Sequence, residues 1–343
     1  MPGLRRWTVL SVTAIVCAVT APVAGVVAWH HMVSTTSLST DADARAARQV
    51  DPGSWKYVAL GDSYTAGPFI PFVNLTSGAC LRSSNNYPHV LATWFATSDL
   101  TDVSCSGAQT AAMTSPQQTF TGVVRAQFDA LSADTDLVTL GIGGNDFGLF
   151  GSITSTCPRL KDSDPAGYPC RRHFTVSGVD TLLRDARSIG ARVGAVVSDI
   201  RERSPHARIL VLGYPRITSA QGSCQAQFLA DGDSRWANRV EVMLNSSIRR
   251  AVTAHGGRYV DLYPSTRGHS ACAGDRAWVN GPVTDPFRAV AYHPFFSGML
   301  NDAVQAYRSI FHRAPSASQL EQARVTARQN QAAARMYAHP AHR

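Results

Sequence analysis

Tyr57-Val58-Ala59-Leu60-Gly61-Asp62-Ser63-Tyr64 is an apolar, strand-forming run that ends on a glycine and a polar turn. Its apolar part is continuous rather than alternating, which suits a strand buried on both faces of a parallel sheet. Leu137-Val138-Thr139-Leu140, Ile209-Leu210-Val211-Leu212 and Tyr259-Val260-Asp261-Leu262 have the same make-up, and a weaker run spans residues 100–105. Helical spacing is clearest between Val179 and Ile200, where Leu182, Leu183, Ala186, Ile189, Val193, Val196 and Val197 recur three and four apart. That pattern stops at Ser204-Pro205, as a helix does before a proline. Further helices are expected over 87–96, 236–255 and 294–311. Strands alternating with helices predict an α/β protein: a three-layer α/β/α sandwich around a central parallel five-stranded sheet. Loops that carry chemistry then lie at the carboxyl ends of the strands.

The chain has 343 residues, 44% of them hydrophobic and 16% charged, enough for a well-buried core and unlike a disordered chain. Its formal net charge is +8, and all but Lys56 and Lys161 of the 32 basic residues are Arg. No dense cationic block with interleaved aromatics occurs, so nucleic acid is excluded as a partner and the charge suits an anionic surface.

Four regions follow. Residues 1–29 are a signal peptide or membrane anchor, because Trp7 to Trp29 carry no charge, are mostly apolar and follow Arg5 and Arg6. Cleavage after a small-residue pattern such as Ala42-Asp43-Ala44 and retention as an anchor are both open. If retained, residues 7–29 provide membrane contact, and in either case the remainder is exported. Residues 30–53 form a Ser/Thr/Ala-rich linker, 54–313 the folded domain, and 314–343 a basic Ala/Gln/Arg-rich tail, read as a solvated helix or disordered.

Cys17 lies in the apolar segment, which leaves six exported cysteines in an oxidising compartment and an expectation of three disulfides. Fifteen pairings are formally open, and the simplest joins sequence neighbours: Cys80 with Cys105, Cys157 with Cys170 and Cys224 with Cys272. No Cys-x-x-Cys occurs and the histidines are scattered, so no metal is expected, and no organic cofactor either.

Four short stretches can carry chemistry. Ser63 follows a strand and a glycine, where an α/β enzyme places a nucleophile. Thr65 occupies the position of the second glycine in a Gly-x-Ser-x-Gly elbow, so that elbow is not supported. Gly141-Ile142-Gly143-Gly144-Asn145-Asp146 also follows a strand, and its Asn carboxamide can donate to a developing oxyanion. It matches neither a dinucleotide nor a P-loop pattern. Gly107, in Ser104-Cys105-Ser106-Gly107-Ala108, offers an unobstructed backbone N–H, and His293 stands before Pro294 and an apolar helix.

In their joint order these blocks resemble the SGNH, or GDSL, hydrolase superfamily. The matches are Ala59-Leu60-Gly61-Asp62-Ser63, Gly107, Gly143-Gly144-Asn145-Asp146 and the stretch around His293, covering roughly residues 55–312. Arg82-Ser83, Asn86-Tyr87-Pro88, Cys105-Ser106-Gly107-Ala108 and the six cysteines look like the secreted actinobacterial esterase and lipase branch, whose three disulfides pair between sequence neighbours. The resemblance implies two-step hydrolysis of carboxylic esters, with Ser63 as nucleophile, His293 as base, and an oxyanion hole from the N–H groups of Ser63 and Gly107 and the Asn145 side chain. Many members carry Asp three residues before the histidine, where this chain has Val290. The backbone carbonyl of Val290 is then expected to orient His293, with Asp285 as the alternative. Apolar Phe69, Ile70, Phe72, Val73, Phe147, Leu149 and Phe150 follow the Ser and Asn blocks and either line an acyl entrance or close the core. The substrate expected is a lipid ester or other acylated small molecule. Carbohydrate O-acetylesterase, acyltransferase and non-catalytic envelope binding are the alternatives.

Overall fold

The computed structural model describes residues 51–219 and 221–338. The N-terminal segment, most of the linker and Cys17 lie outside the described residues. Among the described residues no helix is long and apolar enough to cross a membrane.

Five strands form one all-parallel sheet: β1 (Tyr57–Gly61), β2 (Leu100–Asp102), β3 (Leu137–Gly141), β4 (Arg208–Leu212) and β5 (Arg258–Val260), in spatial order β2-β1-β3-β4-β5. All five lie where the apolar runs place them. Strand residues alternate between two cores, as side chains on a pleat must. Tyr57, Ala59, Leu210 and Leu212 face α1 (Tyr87–Phe95) and α5 (Phe296–Phe311), through Leu91, Phe95, Met299 and Tyr307. Val58, Leu60, Ile209 and Val211 face α3 (Thr181–Arg203) and α4 (Ser234–Ala254), through Ile189, Val193, Leu244 and Ile248. The α3–α4 contact is close because Gly190 has no side chain. A Cβ there would stand 2.6 Å from the Ser247 carbonyl oxygen, and the Ser247 hydroxyl donates to Ala186 O at 2.6 Å across the same seam.

The chain passes from β1 outward to β2 and then crosses back to β3, so the strand order reverses between β1 and β3. A crevice opens at such a switch point, beyond the carboxyl ends. The register pairs Gly61 with Gly141, so the loops that leave β1 and β3 emerge side by side.

A helical insertion that periodicity did not single out follows β3: α2 (Leu149–Ser163) and a short turn, Pro169–His173. Cys157–Cys170 joins the two, Cys80–Cys105 and Cys224–Cys272 are also bonded, and all three pair sequence neighbours. The tail forms a helix, α6 (Ala317–Ala338), whose residues are mostly exposed and whose early turns dock on the domain. Trp94 Nε1 donates to Gln319 O at 3.1 Å, Gln319 Nε2 returns a bond to Trp94 O at 3.2 Å, and Leu320 and Ala323 pack on the core beneath α1.

Candidate active site

Ser63 begins a one-turn helix, Ser63–Ala66, directly after β1. Asp62 caps it: one carboxylate oxygen accepts the Tyr64 N–H at 2.8 Å, and the other accepts the Tyr214 hydroxyl at 2.6 Å. The Tyr214 oxygen in turn accepts the Gly144 N–H at 2.6 Å, which ties the serine turn to the loop after β3. Burial pushes the Asp62 carboxyl up to about 7, against the pull of Tyr214 and the Tyr64 amide. Both of its oxygens hold the turn in place. Gln127 adds a clamp, accepting from Gly61 N at 2.8 Å and donating to Gly61 O at 2.9 Å.

His293 comes from the loop before α5, and its Nε2 lies 2.7 Å from Ser63 Oγ. Nδ1 lies 2.8 Å from the backbone oxygen of Ala291. A carbonyl can only accept, so Nδ1 carries the hydrogen and Nε2 is left with the lone pair that faces the serine. The expected partner is therefore off by one residue. The Val290 oxygen is taken up by the His293 N–H at 3.1 Å and by Asn280 Nδ2 at 3.3 Å. Tyr292, at φ +59°, reverses the chain and brings the Ala291 oxygen round to the ring. Asp285 is also excluded as the orienting group, since its carboxylate caps the Phe287 N–H at 2.9 Å within its own turn. The loop is pinned further by Tyr64, whose hydroxyl donates to Tyr292 O at 2.6 Å and whose ring lies 5.1 Å from the imidazole.

Desolvation holds the His293 imidazolium below its ordinary pKa, partly offset by the Ala291 carbonyl. The ring is therefore neutral at neutral pH. kcat/KM for ester hydrolysis is expected to rise with pH along a limb whose midpoint lies below the ordinary 6.5, and to be level near neutrality. A midpoint above 6.5 in the measured pH profile would mean that a carboxylate, not a carbonyl, backs the imidazole.

Gly107 and Asn145 line the same cavity as Ser63 and His293. Gly107 sits in a turn closed by Ala108 N–H to Cys105 O at 3.0 Å, with φ +77°, a conformation that costs glycine little. Among the described residues neither the Ser63 nor the Gly107 N–H has an acceptor. Cys80–Cys105 fastens this turn to the segment before it. Asn145 Nδ2 gives one hydrogen to Ala108 O at 3.0 Å, which fixes the amide and leaves the second for a ligand. Next to it Asp146 is fully buried, accepting from Thr110 N and Oγ1 and pairing with Arg192 at 3.0 Å.

The cavity has a volume of about 750 Å³. Of the seven apolar residues singled out in the sequence, only Phe150 lines it. Ile70 and Leu149 are in the core, while Phe72 and Phe147 are exposed, Phe147 beneath the Arg192 guanidinium. The apolar wall comes instead from Phe120, Ile153, Ile217, Phe228, Val240 and Tyr292, on elements far apart in the chain. Leu149, Ile153, Cys157 and Leu160 recur at helical spacing, and that signal alone could have revealed α2 and its share of the wall. Among the described residues no group of three or more His, Cys, Asp or Glu is placed to hold a metal ion.

Residues 59–298 match the family model for the GDSL-like lipase/acylhydrolase family. Among curated relatives, Lipase 2 of Streptomyces coelicolor is 40% identical over 268 residues, covering 76% of this chain and 88% of its own. A lipase of Streptomyces rimosus is 30% identical, covering 71% of this chain and 81% of its own. The crystal structure of phospholipase A1 from Streptomyces albidoflavus superposes with a TM-score of 0.60 at 30% identity, covering 74% of this chain and 98% of that one. The match spans both loops of the switch point and the histidine loop, so the chain belongs to the GDSL-like lipase/acylhydrolase family.

Proposed function

We propose that this protein is a carboxylic ester hydrolase that works on lipid esters through an acyl-enzyme on Ser63. The observation that carries the reading is the 2.7 Å contact between Ser63 Oγ and His293 Nε2 in the wall of a mostly apolar cavity. His293 takes the Oγ proton as Oγ bonds to the ester carbonyl carbon, and returns it to the alkoxide as the ester C–O bond breaks. Water then repeats the cycle on the acyl-enzyme. The oxyanion of each tetrahedral intermediate is held by the Ser63 and Gly107 N–H groups and by Asn145. Three disulfides support export to an oxidising compartment.

A cavity of this size accepts far more than an acetyl group. With p-nitrophenyl esters from acetyl to palmitoyl, kcat/KM is expected to climb up to roughly threefold per added methylene while the chain stays inside the cavity. A profile that is highest at acetyl would replace the lipid reading with a small-ester one. Absence of hydrolysis across the series by folded, oxidised protein would remove the hydrolase reading itself.

A further inference from the structure

Beside the cavity of Ser63 lies a second one of about 510 Å³, open to solvent and more polar. The two share a wall. After β4 the chain runs Arg216-Ile217-Thr218-Ser219, where Ile217 and Thr218 line the first cavity and Arg216, Thr218 and Ser219 line the second. Arg267 and Arg276 complete it, with Ser270 between them in sequence, so three arginines border one space. No acidic residue lines it, and among the described residues none of the three arginines pairs with a carboxylate.

This is a built site rather than a chance run of surface charge. Arg216 is half-buried and held from both sides. Its Nε donates to Tyr263 O at 3.0 Å, and its guanidinium stacks 3.8 Å from the Tyr263 ring centroid. The Arg276 backbone is fixed by His269, whose Nδ1 lies 2.6 Å from Arg276 O while its ring stacks on Trp278. Cys224–Cys272 fastens the segment between Arg267 and Arg276 to the loop opposite. A fork of arginines with adjacent hydroxyls matches the geometry and charge of a phosphoryl group.

Building on the hydrolase reading above, we propose that this arginine cavity binds the phosphate of a glycerophospholipid substrate while an acyl chain of the same molecule occupies the neighbouring apolar cavity. Thr218, common to both walls, stands where the glycerol crosses from one to the other. The enzyme then selects its lipid by headgroup as well as by acyl chain.

The test compares hydrolysis of dioctanoyl phosphatidylcholine with that of p-nitrophenyl octanoate, using the full chain and the doubly substituted Arg267→Ala, Arg276→Ala protein. Both side chains are exposed, so folding is expected to survive their loss. The phospholipid kcat/KM is expected to fall roughly 10- to 100-fold, mainly through KM, as two charge-assisted contacts are lost. The octanoate ester should be cleaved as before. Arg216→Gln, which keeps the stem over Tyr263, should act in the same direction. sn-Glycerol 3-phosphate should compete with phospholipid in the parent and not in the double variant. An unchanged ratio between the two substrates, or an equal fall in both, overturns the proposal. So does inorganic phosphate bound in an arginine-dependent way without any effect on phospholipid turnover, since the cavity would then serve free phosphate. Hydrolysis of both esters by Ser63→Ala would sink the underlying reading instead, a result distinct from any of these.

Discussion

Ser63→Ala and His293→Ala are each expected to lower kcat for ester hydrolysis by about 10⁴-fold or more, with the double variant losing little beyond either single one. The reason is the geometry of one proton. Ser63 Oγ is buried and meets Nε2 at 2.7 Å, while the Ala291 carbonyl fixes the hydrogen on Nδ1. Without the ring the hydroxyl stays protonated and nucleophilically weak. Without the hydroxyl the ring has nothing to activate except water held in the wrong place. Groups that act as a unit lose their joint effect at the first removal, so multiplicative losses in the double variant would show that they act separately. Steady-state kinetics on one ester with all four proteins decides this. Labelling by a serine-reactive phosphonate should disappear in Ser63→Ala.

Asn145→Ala should cost about 10²- to 10³-fold in kcat with little change in KM, as expected for a donor that acts on charge developing in the transition state. The amide is held ready before substrate arrives, because one hydrogen is spent on Ala108 O. That same bond makes a structural contribution, so the variant must be checked by thermal unfolding. A fall in kcat with Tm unchanged assigns the loss to catalysis. A lowered Tm with normal kcat would leave Asn145 as a fastener of the Gly107 turn and nothing more.

The sheet was legible because most of its strands announce themselves locally. Tyr57 to Leu60 and Ile209 to Leu212 have apolar side chains on both faces, and the structure buries both faces. The long helix of Thr181–Arg203 was equally plain from its three-and-four spacing. Sequence reading missed α2, whose apolar stripe is narrow though regularly spaced, and left the tail open between a solvated helix and disorder, without the docking of its early turns through Leu320 and Ala323. At the site, a carbonyl behind His293 was foreseen but placed on Val290. The positive φ of Tyr292, which moves that role to Ala291, is not a preference of tyrosine and is imposed by the pinned loop around it.

Order along the chain was enough to establish that strands alternate with helices, that the Ser63 and Asn145 loops follow adjacent strands, and how many cysteines must pair. These are properties of neighbours: side-chain periodicity, glycine and proline at turns, and the even count of exported thiols. Only the tertiary structure decided which carbonyl meets Nδ1, that Tyr214 bridges Asp62 to Gly144, that the apolar cavity wall includes Phe120, Ile217 and Phe228, and that Arg216, Arg267 and Arg276 share one space. Each of these joins segments tens to hundreds of residues apart. Such contacts are set by how whole layers pack and how loops close over the sheet, and no local pattern in the chain encodes them.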